Sequence, residues 1–188
     1  TRKELLPEYK HGSGEIDPFF ISQVEWFNEG LLNMGIKQIR FPDCEADDVI
    51  GVIANLGPSV IVSSDTDFLQ LVTKDISVFN PIKGELYDYD NVKESLGGEA
   101  PHRYIETKAI CGDKADNIDG FRGLGWKASL QFIHTVHEEA SLPHPDLTGK
   151  LSVINEPESI LKLQRNIALI TIPTELSQID SPHIEQYS

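Results

Sequence analysis

The apolar positions of this chain follow two different periods. Phe20, Val24, Phe27 and Leu31 recur at helical spacing behind Asp17 and Pro18, residues suited to a helix cap and first turn, and Gly35 ends the pattern. Residues 36–41 predict a short strand, and residues 45–56 a helix with Ala46, Val49, Ile50 and Ile53 turned inward. The β-branched run at 60–63 predicts a buried parallel strand, with a helix following around 68–72. Residues 76–80 and 85–89 read as a hairpin or edge strands about a Lys83-Gly84 turn. Beyond them the pattern turns helical, at about 91–96, 102–111, 126–136 and 156–170. Residues 1–10 read as a basic-rich helix and 11–14 as a break. A loop is expected at 141–149, and a weakly ordered tail after Pro173.

Strand–helix alternation up to residue 80 predicts the α/β class. The expected architecture is a central, mostly parallel sheet flanked by helices over residues 1–100, with a helical part over 101–188 packed on it as one unit. A length of 188 residues suits one domain, or one with a small subdomain. No apolar run approaches membrane-spanning length and no signal peptide is visible, so the expectation is a cytoplasmic protein without membrane contact. Cys44 and Cys111 offer no disulfide framework. The opening Thr-Arg-Lys-Glu lacks an initiator Met, and upstream sequence is expected.

Charge complicates this picture. The net charge of −14, from 16 basic and 30 acidic residues, argues against a nucleic-acid partner, because such binding gains from cations that neutralise phosphates. Placement matters more than the total, since carboxylates gathered on bound cations leave room for a local basic strip.

The acidic residues fall in three clusters. Glu45, Asp47 and Asp48 open the predicted helix at 45–56, where the helix dipole alone would welcome them. Asp65 and Asp67 follow the apolar strand directly, at the carboxyl end where open α/β sheets bind ligands. Alternation along an extended segment would send both to one side, whereas a helix N-cap explains one of them but not both. Asp113 and Asp116, three apart, could make a solvated Asx turn or hold a divalent metal. Seven carboxylates brought together would repel without cations. Hard oxygen donors favour Mg²⁺ or Mn²⁺ over Zn²⁺, and seven are enough for two ions. Two such ions suit phosphodiester hydrolysis. Just beyond the third cluster, Gly120, Gly123 and Gly125 let backbone N–H groups approach a phosphate, and Lys108, Lys114, Arg122 and Lys127 form a modest basic strip around that turn.

Glu45-Ala46-Asp47-Asp48, Ser64-Asp65-Thr66-Asp67, residues 112–118 (Gly-Asp-Lys-Ala-Asp-Asn-Ile) and the turn from Gly120 to Lys127 resemble, in order and spacing, the flap endonuclease/5′→3′ exonuclease family. The likeness covers about residues 1–170 and is greatest to the bacteriophage-type 5′ nucleases, then to the 5′-nuclease domain of bacterial DNA polymerase I. It implies a PIN-like nuclease core and a structure-specific enzyme cutting DNA with a free 5′ end or 5′ flap. It assigns Glu45, Asp47, Asp48 and Asp65 mainly to a first metal ion and Asp67, Asp113 and Asp116 mainly to a second. Residues 112–136 become a helix–three-turn–helix motif gripping duplex DNA through phosphates, with a K⁺ ion in attendance. Lys10 and Arg2 become residues of the helical arch, stabilising charge at the scissile phosphate. The phage-type likeness leaves oligomeric state open, with a monomer as the expectation.

Two departures stand out. The family's aspartates on its first strand and just before the arch would precede Thr1, and the stretch from Lys10 to Phe19 is shorter than the family's arch. A non-catalytic branched-DNA-binding module is therefore the alternative reading. A small-molecule phosphohydrolase, suggested by Asp65-Thr66-Asp67, is disfavoured because Leu69 stands where that chemistry uses Thr or Val.

Overall fold

A computed structural model of the chain describes residues 2–10, 17–41, 44–137 and 140–179, and the backbone of 185–187. The break expected at 11–14 lies outside the described residues. In chain order the helices are α1 (Arg2–Leu5), α2 (Pro18–Asn33), α3 (Ala46–Ala54), α4 (Tyr89–Ser95), α5 (Tyr104–Cys111), α6 (Trp126–Thr135) and α7 (Pro157–Ile170). The strands are β1 (Gln38–Arg40), β2 (Ser59–Val62), β3 (Ile76–Asn80), β4 (Glu85–Tyr87), β5 (Gly112–Asp113), β6 (Ile118–Asp119) and β7 (Glu185–Tyr187). The helix expected around 68–72 is a 3₁₀ segment, Thr66–Leu71, and a further one, Gly149–Asn155, follows the loop before α7.

The α/β class holds, but the sheet is mixed, not mostly parallel. Among the described residues, only β2 and β3 pair in parallel; β3–β4, β1–β7 and β5–β6 are antiparallel. The reason is local. Asn80 accepts the N–H groups of Ile82 and Lys83 and its carbonyl takes the Gly84 N–H, closing a tight turn that returns β4 antiparallel. Nor is β2 buried on both faces. Ile61 is buried, while Val60 and Val62 are exposed. Inside α3, Val49, Gly51, Val52 and Ala54 are the buried residues, while Ala46 and Ile53 face outward.

One contiguous core runs from Tyr9 through Phe68, Val78, Leu96, Ile110 and Ile133 to Leu169, so the sheet and the C-terminal helices share a single interior. Arg103, 2% exposed, ties α5 to α6 by donating to the Ile133 and Val136 carbonyls at 2.6 and 2.7 Å, and it also pairs with Glu106 and Glu99. The helix at α2 forms as its cap predicts, with Asp17 accepting from the Phe19 N–H at 2.9 Å. Its apolar stripe, however, is not inward. Phe20, Val24 and Phe27 are exposed and no α2 residue is buried. Helical period selects a face, but burial requires a second element lying on it.

Candidate metal centre

Three separate segments converge on the acidic site. α5 ends at Gly112, whose φ of +81° turns the chain directly into the β5–β6 hairpin. A Cβ on Gly112 would strike the Gly120 backbone, and one on Gly120 would strike Cys111. This close approach of two backbones accounts for both glycines. Gly123, at φ +80°, and Gly125 have open space where a Cβ would sit. The hairpin tip carries Asp113 and Asp116. Asp113 Oδ1 makes an Asx turn, accepting from the Ala115 N–H at 2.9 Å and the Asp116 N–H at 3.4 Å.

Asp67 reaches the same place from the 3₁₀ segment after β2. The chain is extended only to Asp65, which caps that segment by accepting the Asp67 N–H at 2.9 Å. Asp65 and Asp67 are thus related by a cap and not by strand alternation. Asp67, Asp113 and Asp116 each offer an oxygen within 4.8 Å of the others, and all three are half-buried. These are the three residues that the family likeness grouped on one ion.

Of the other four carboxylates, Asp65 acts electrostatically on Asp67 and Glu45 on Asp116, while Asp47 and Asp48 neighbour Glu45 at the start of α3. Asp48 is held by a two-pronged Arg2 bridge, at 3.0 and 2.6 Å. Arg2 also donates to the Leu169 and Thr171 carbonyls, at 2.9 and 3.1 Å, so its fork is committed to the C-terminal segment as well as to α3. Glu45 takes the Lys10 ammonium at 2.5 Å. The Tyr9 hydroxyl stands 3.5 Å from Glu45 and 3.4 Å from Asp116, linking the α3 cluster to the hairpin. Sequence reasoning passed over Tyr9, although Tyr9 beside Lys10 in the arch-like stretch was the available signal. The segment 8–10 is seated on the hairpin itself, since the Lys10 N–H donates to the Asp116 carbonyl at 3.2 Å and Asn117 donates to the Glu8 carbonyl at 3.0 Å.

Electrostatics follow this crowding. Burial, with Asp65 next, raises the Asp47 carboxyl above its ordinary value. Burial also raises Asp67 against the pull of Lys108, and raises Asp116, which Asp113, Asp67 and Glu45 push further. Burial works against Asp113 too, but the Lys108 hydrogen bond and charge hold it low. Tyr9 is pushed up to about 12 by burial and then by Glu45 and Asp116.

Of the expected basic strip, Lys114, Arg122 and Lys127 are exposed around the glycine turn. Lys108 is elsewhere. Its ammonium lies inside the acidic group, 2.7 Å from Asp67 and 2.6 Å from Asp113. Behind the hairpin, α7 supplies Asn166, fully buried, which donates to the Ala109 and Asp119 carbonyls at 2.9 Å each. Lys162 donates to the Gly120 carbonyl at 2.8 Å, so α7 holds the far end of the hairpin at Asp119 and Gly120 and the α5 backbone that leads into it.

The donor set fits a hard divalent cation. All three compact candidates are carboxylate oxygens, the hard donors such a cation takes, and the buried Asp67 Oδ1 faces a positive charge already, the Lys108 ammonium at 2.7 Å.

Residues 1–97 match the model of a family described as 5′-3′ exonuclease, N-terminal resolvase-like domain. A 5′-3′ exonuclease of Halalkalibacterium halodurans is 30% identical over 194 residues, covering 96% of this chain and 63% of its own. A bacteriophage T5 protein co-crystallized with metal ions superposes with a TM-score of 0.71 at 26% identity, over 90% of this chain and 70% of that one. A T5 flap endonuclease, in a pseudo-enzyme-product complex with DNA and metal ions, superposes at 0.67 with 26% identity, over 90% and 68%. The chain thus spans 63% of the length of the halobacillar relative.

Proposed function

The chain belongs to the 5′-3′ exonuclease family, and from that premise we propose that it carries the catalytic face of a structure-specific 5′ nuclease that hydrolyses DNA phosphodiesters using divalent metal. The observation that carries this reading is the convergence of Asp67, Asp113 and Asp116 from distant segments onto one locus. Mg²⁺ or Mn²⁺ suits the oxygen donors. Asp67, Asp113 and Asp116 would hold one ion, and Glu45, Asp47, Asp48 and Asp65 serve a second. When bound, such ions supply an activated water and offset charge on the scissile phosphate.

The chain's own residues do the rest. Lys10, poised on Glu45 at the rim, is placed to meet phosphate charge. Arg2 orients Asp48 and lies 3.6 Å from Glu45 as well. Exposed Arg122 and Lys127, with the backbone N–H groups around Gly123 and Gly125, provide a phosphate-holding surface, which we read as a helix–three-turn–helix for duplex DNA with room for a K⁺ ion. The substrate is DNA with a free 5′ end or 5′ flap, and the enzyme works as a cytoplasmic monomer. No helix among the described residues is long and apolar enough to cross a membrane.

The test is cleavage of a 5′-flap duplex with Mg²⁺ or Mn²⁺. Asp116→Asn is expected to reduce turnover by at least a hundredfold, roughly 3 kcal/mol of barrier, while flap binding persists. Normal turnover in that variant would defeat the metal assignment. Binding of branched DNA with no cutting by the unaltered protein would favour the non-catalytic reading. Lys127→Ala is expected to weaken duplex binding equally across sequences and to lower the salt slope by about 1.

A further inference from the structure

We propose that Lys108 is a built-in counter-cation of the Asp67–Asp113 pair, and that a divalent ion enters this group by exchange with the Lys108 ammonium. The inference rests on the metal reading above and concerns how the centre loads. The ammonium lies between two of the three compact carboxylates, 2.7 Å from Asp67 Oδ1 and 2.6 Å from Asp113 Oδ2. It is no loose surface charge, because its side chain is 17% exposed against 19% and 16% for its two partners. The one ammonium is shared between the two carboxylates, hydrogen-bonded to Asp113 and paired with Asp67 at almost the same distance. A single positive charge divided between two carboxylates is a weaker occupant than a doubly charged ion bound by both.

The anchoring makes exchange local. Lys108 lies in the last turn of α5 between Thr107 and Ala109, both fully buried, so the backbone stays while the four-carbon stem can swing. Three carboxylates need more than one positive charge, and a divalent ion supplies two. A divalent ion and an ammonium sharing the same two oxygens would repel at a few ångströms in a half-buried site. Entry of one therefore expels the other. Lys108 keeps the ion-free centre from pushing itself apart, and it raises the free-ion concentration at which the centre fills.

Titrating the full chain with Mn²⁺ alone, without DNA, reads this directly. Lys108→Met should bind its tightest Mn²⁺ about tenfold or more tightly than the unaltered protein. In chelator its thermal midpoint should lie below that of the unaltered protein, and saturating Mn²⁺ should close the gap. Equal or weaker Mn²⁺ affinity in Lys108→Met overturns the exchange. Should that variant fail to fold, the unaltered protein decides the matter by mass-spectrometric acylation of its lysines. Lys108 should become more reactive in Mn²⁺ than in chelator, with exposed Lys74 unchanged as the control. No increase at Lys108 also overturns the proposal. If the unaltered protein takes up no Mn²⁺ and Asp116→Asn behaves identically, the metal reading itself falls. Uptake without a gain in Lys108→Met defeats only the exchange.

Discussion

α2 and α7 are of similar length, 16 and 14 residues, and treat their apolar side chains in opposite ways. α2 is the more apolar by eye, with Phe19, Phe20, Val24, Trp26 and Phe27, yet none of its residues is buried. α7 interleaves Lys162, Gln164, Arg165 and Asn166 among its aliphatics, yet buries Leu163, Asn166, Leu169 and Ile170. What separates them is a docking partner. α7 lies against α1, α5 and the 3₁₀ segment Gly149–Asn155, and Lys162 and Asn166 find fixed backbone acceptors at Ala109 in α5 and at Asp119 and Gly120 beyond it. Gln70 extends the same system, donating to the Ile170 carbonyl at 3.1 Å and accepting the Ile172 N–H at 2.9 Å. Buried polar groups thus orient α7, and through it the hairpin carrying Asp113 and Asp116. Apolar content gives a helix a face to bury; complementary neighbours decide whether it is buried.

The contrast can be broken most forcefully at Leu163. Leu163→Ala removes a side chain 2% exposed and should cost about 2–5 kcal/mol in denaturant unfolding. An effect below 1 kcal/mol would mean that α7 is not the keystone described here. Asn166→Ala deletes both donors, leaving the Ala109 and Asp119 carbonyls without them, and should cost about 1–3 kcal/mol. Its second signature should be weaker Mn²⁺ uptake, since the hairpin loses its clamp. Stability loss with unchanged metal affinity would confine Asn166 to a packing role.

A smaller effect should follow pH in the presence of chelator. Asp47, Asp67 and Asp116 are raised by burial in the folded protein, so their contribution to stability is present below the ordinary carboxylate value and is lost as pH rises through the raised ones. Asp113, held low, contributes in the opposite sense, with stability present above its ordinary value and lost as pH falls through its lowered one. Three groups against one predict that the thermal midpoint of the ion-free protein rises on acidification from neutrality toward the carboxylate range. A midpoint that falls over that interval would contradict the crowding. The least effect belongs to α2, where Phe27→Ser, at a position 61% exposed, should shift stability by no more than about 0.5 kcal/mol. A loss of several kcal/mol would show that this face is covered in solution.

Much of the chemistry was legible before any fold was known. The acidic clusters stand beside strand ends and turns, and hard oxygen donors without a His or Cys pattern suit a hard divalent cation from residue type alone. The helix capped at Asp17 and the Lys83-Gly84 turn were equally readable, because caps and turns act within a few residues. Other features were not. Gly120 read as a phosphate-approach residue, and in the fold it is pressed against Cys111. Lys108 read as part of a basic strip, and in the fold it belongs to the carboxylates. The mostly parallel sheet predicted by strand–helix alternation is mixed in the fold, because the Asn80 turn returns β4 antiparallel and β1–β7 and β5–β6 also pair antiparallel.

The sequence by itself determined which residue types could hold a metal, where helices start, and which family pattern the chain follows, since each depends on side-chain identity and near neighbours. Only the tertiary structure decided that Asp67 meets Asp113 and Asp116, that Lys108 sits among them, that Tyr9 links Glu45 to the hairpin, and that α2 stays exposed while α7 is locked in place. Those outcomes depend on contacts between residues tens of positions apart, where charge, burial and packing from several elements must be satisfied together and no local pattern records the result.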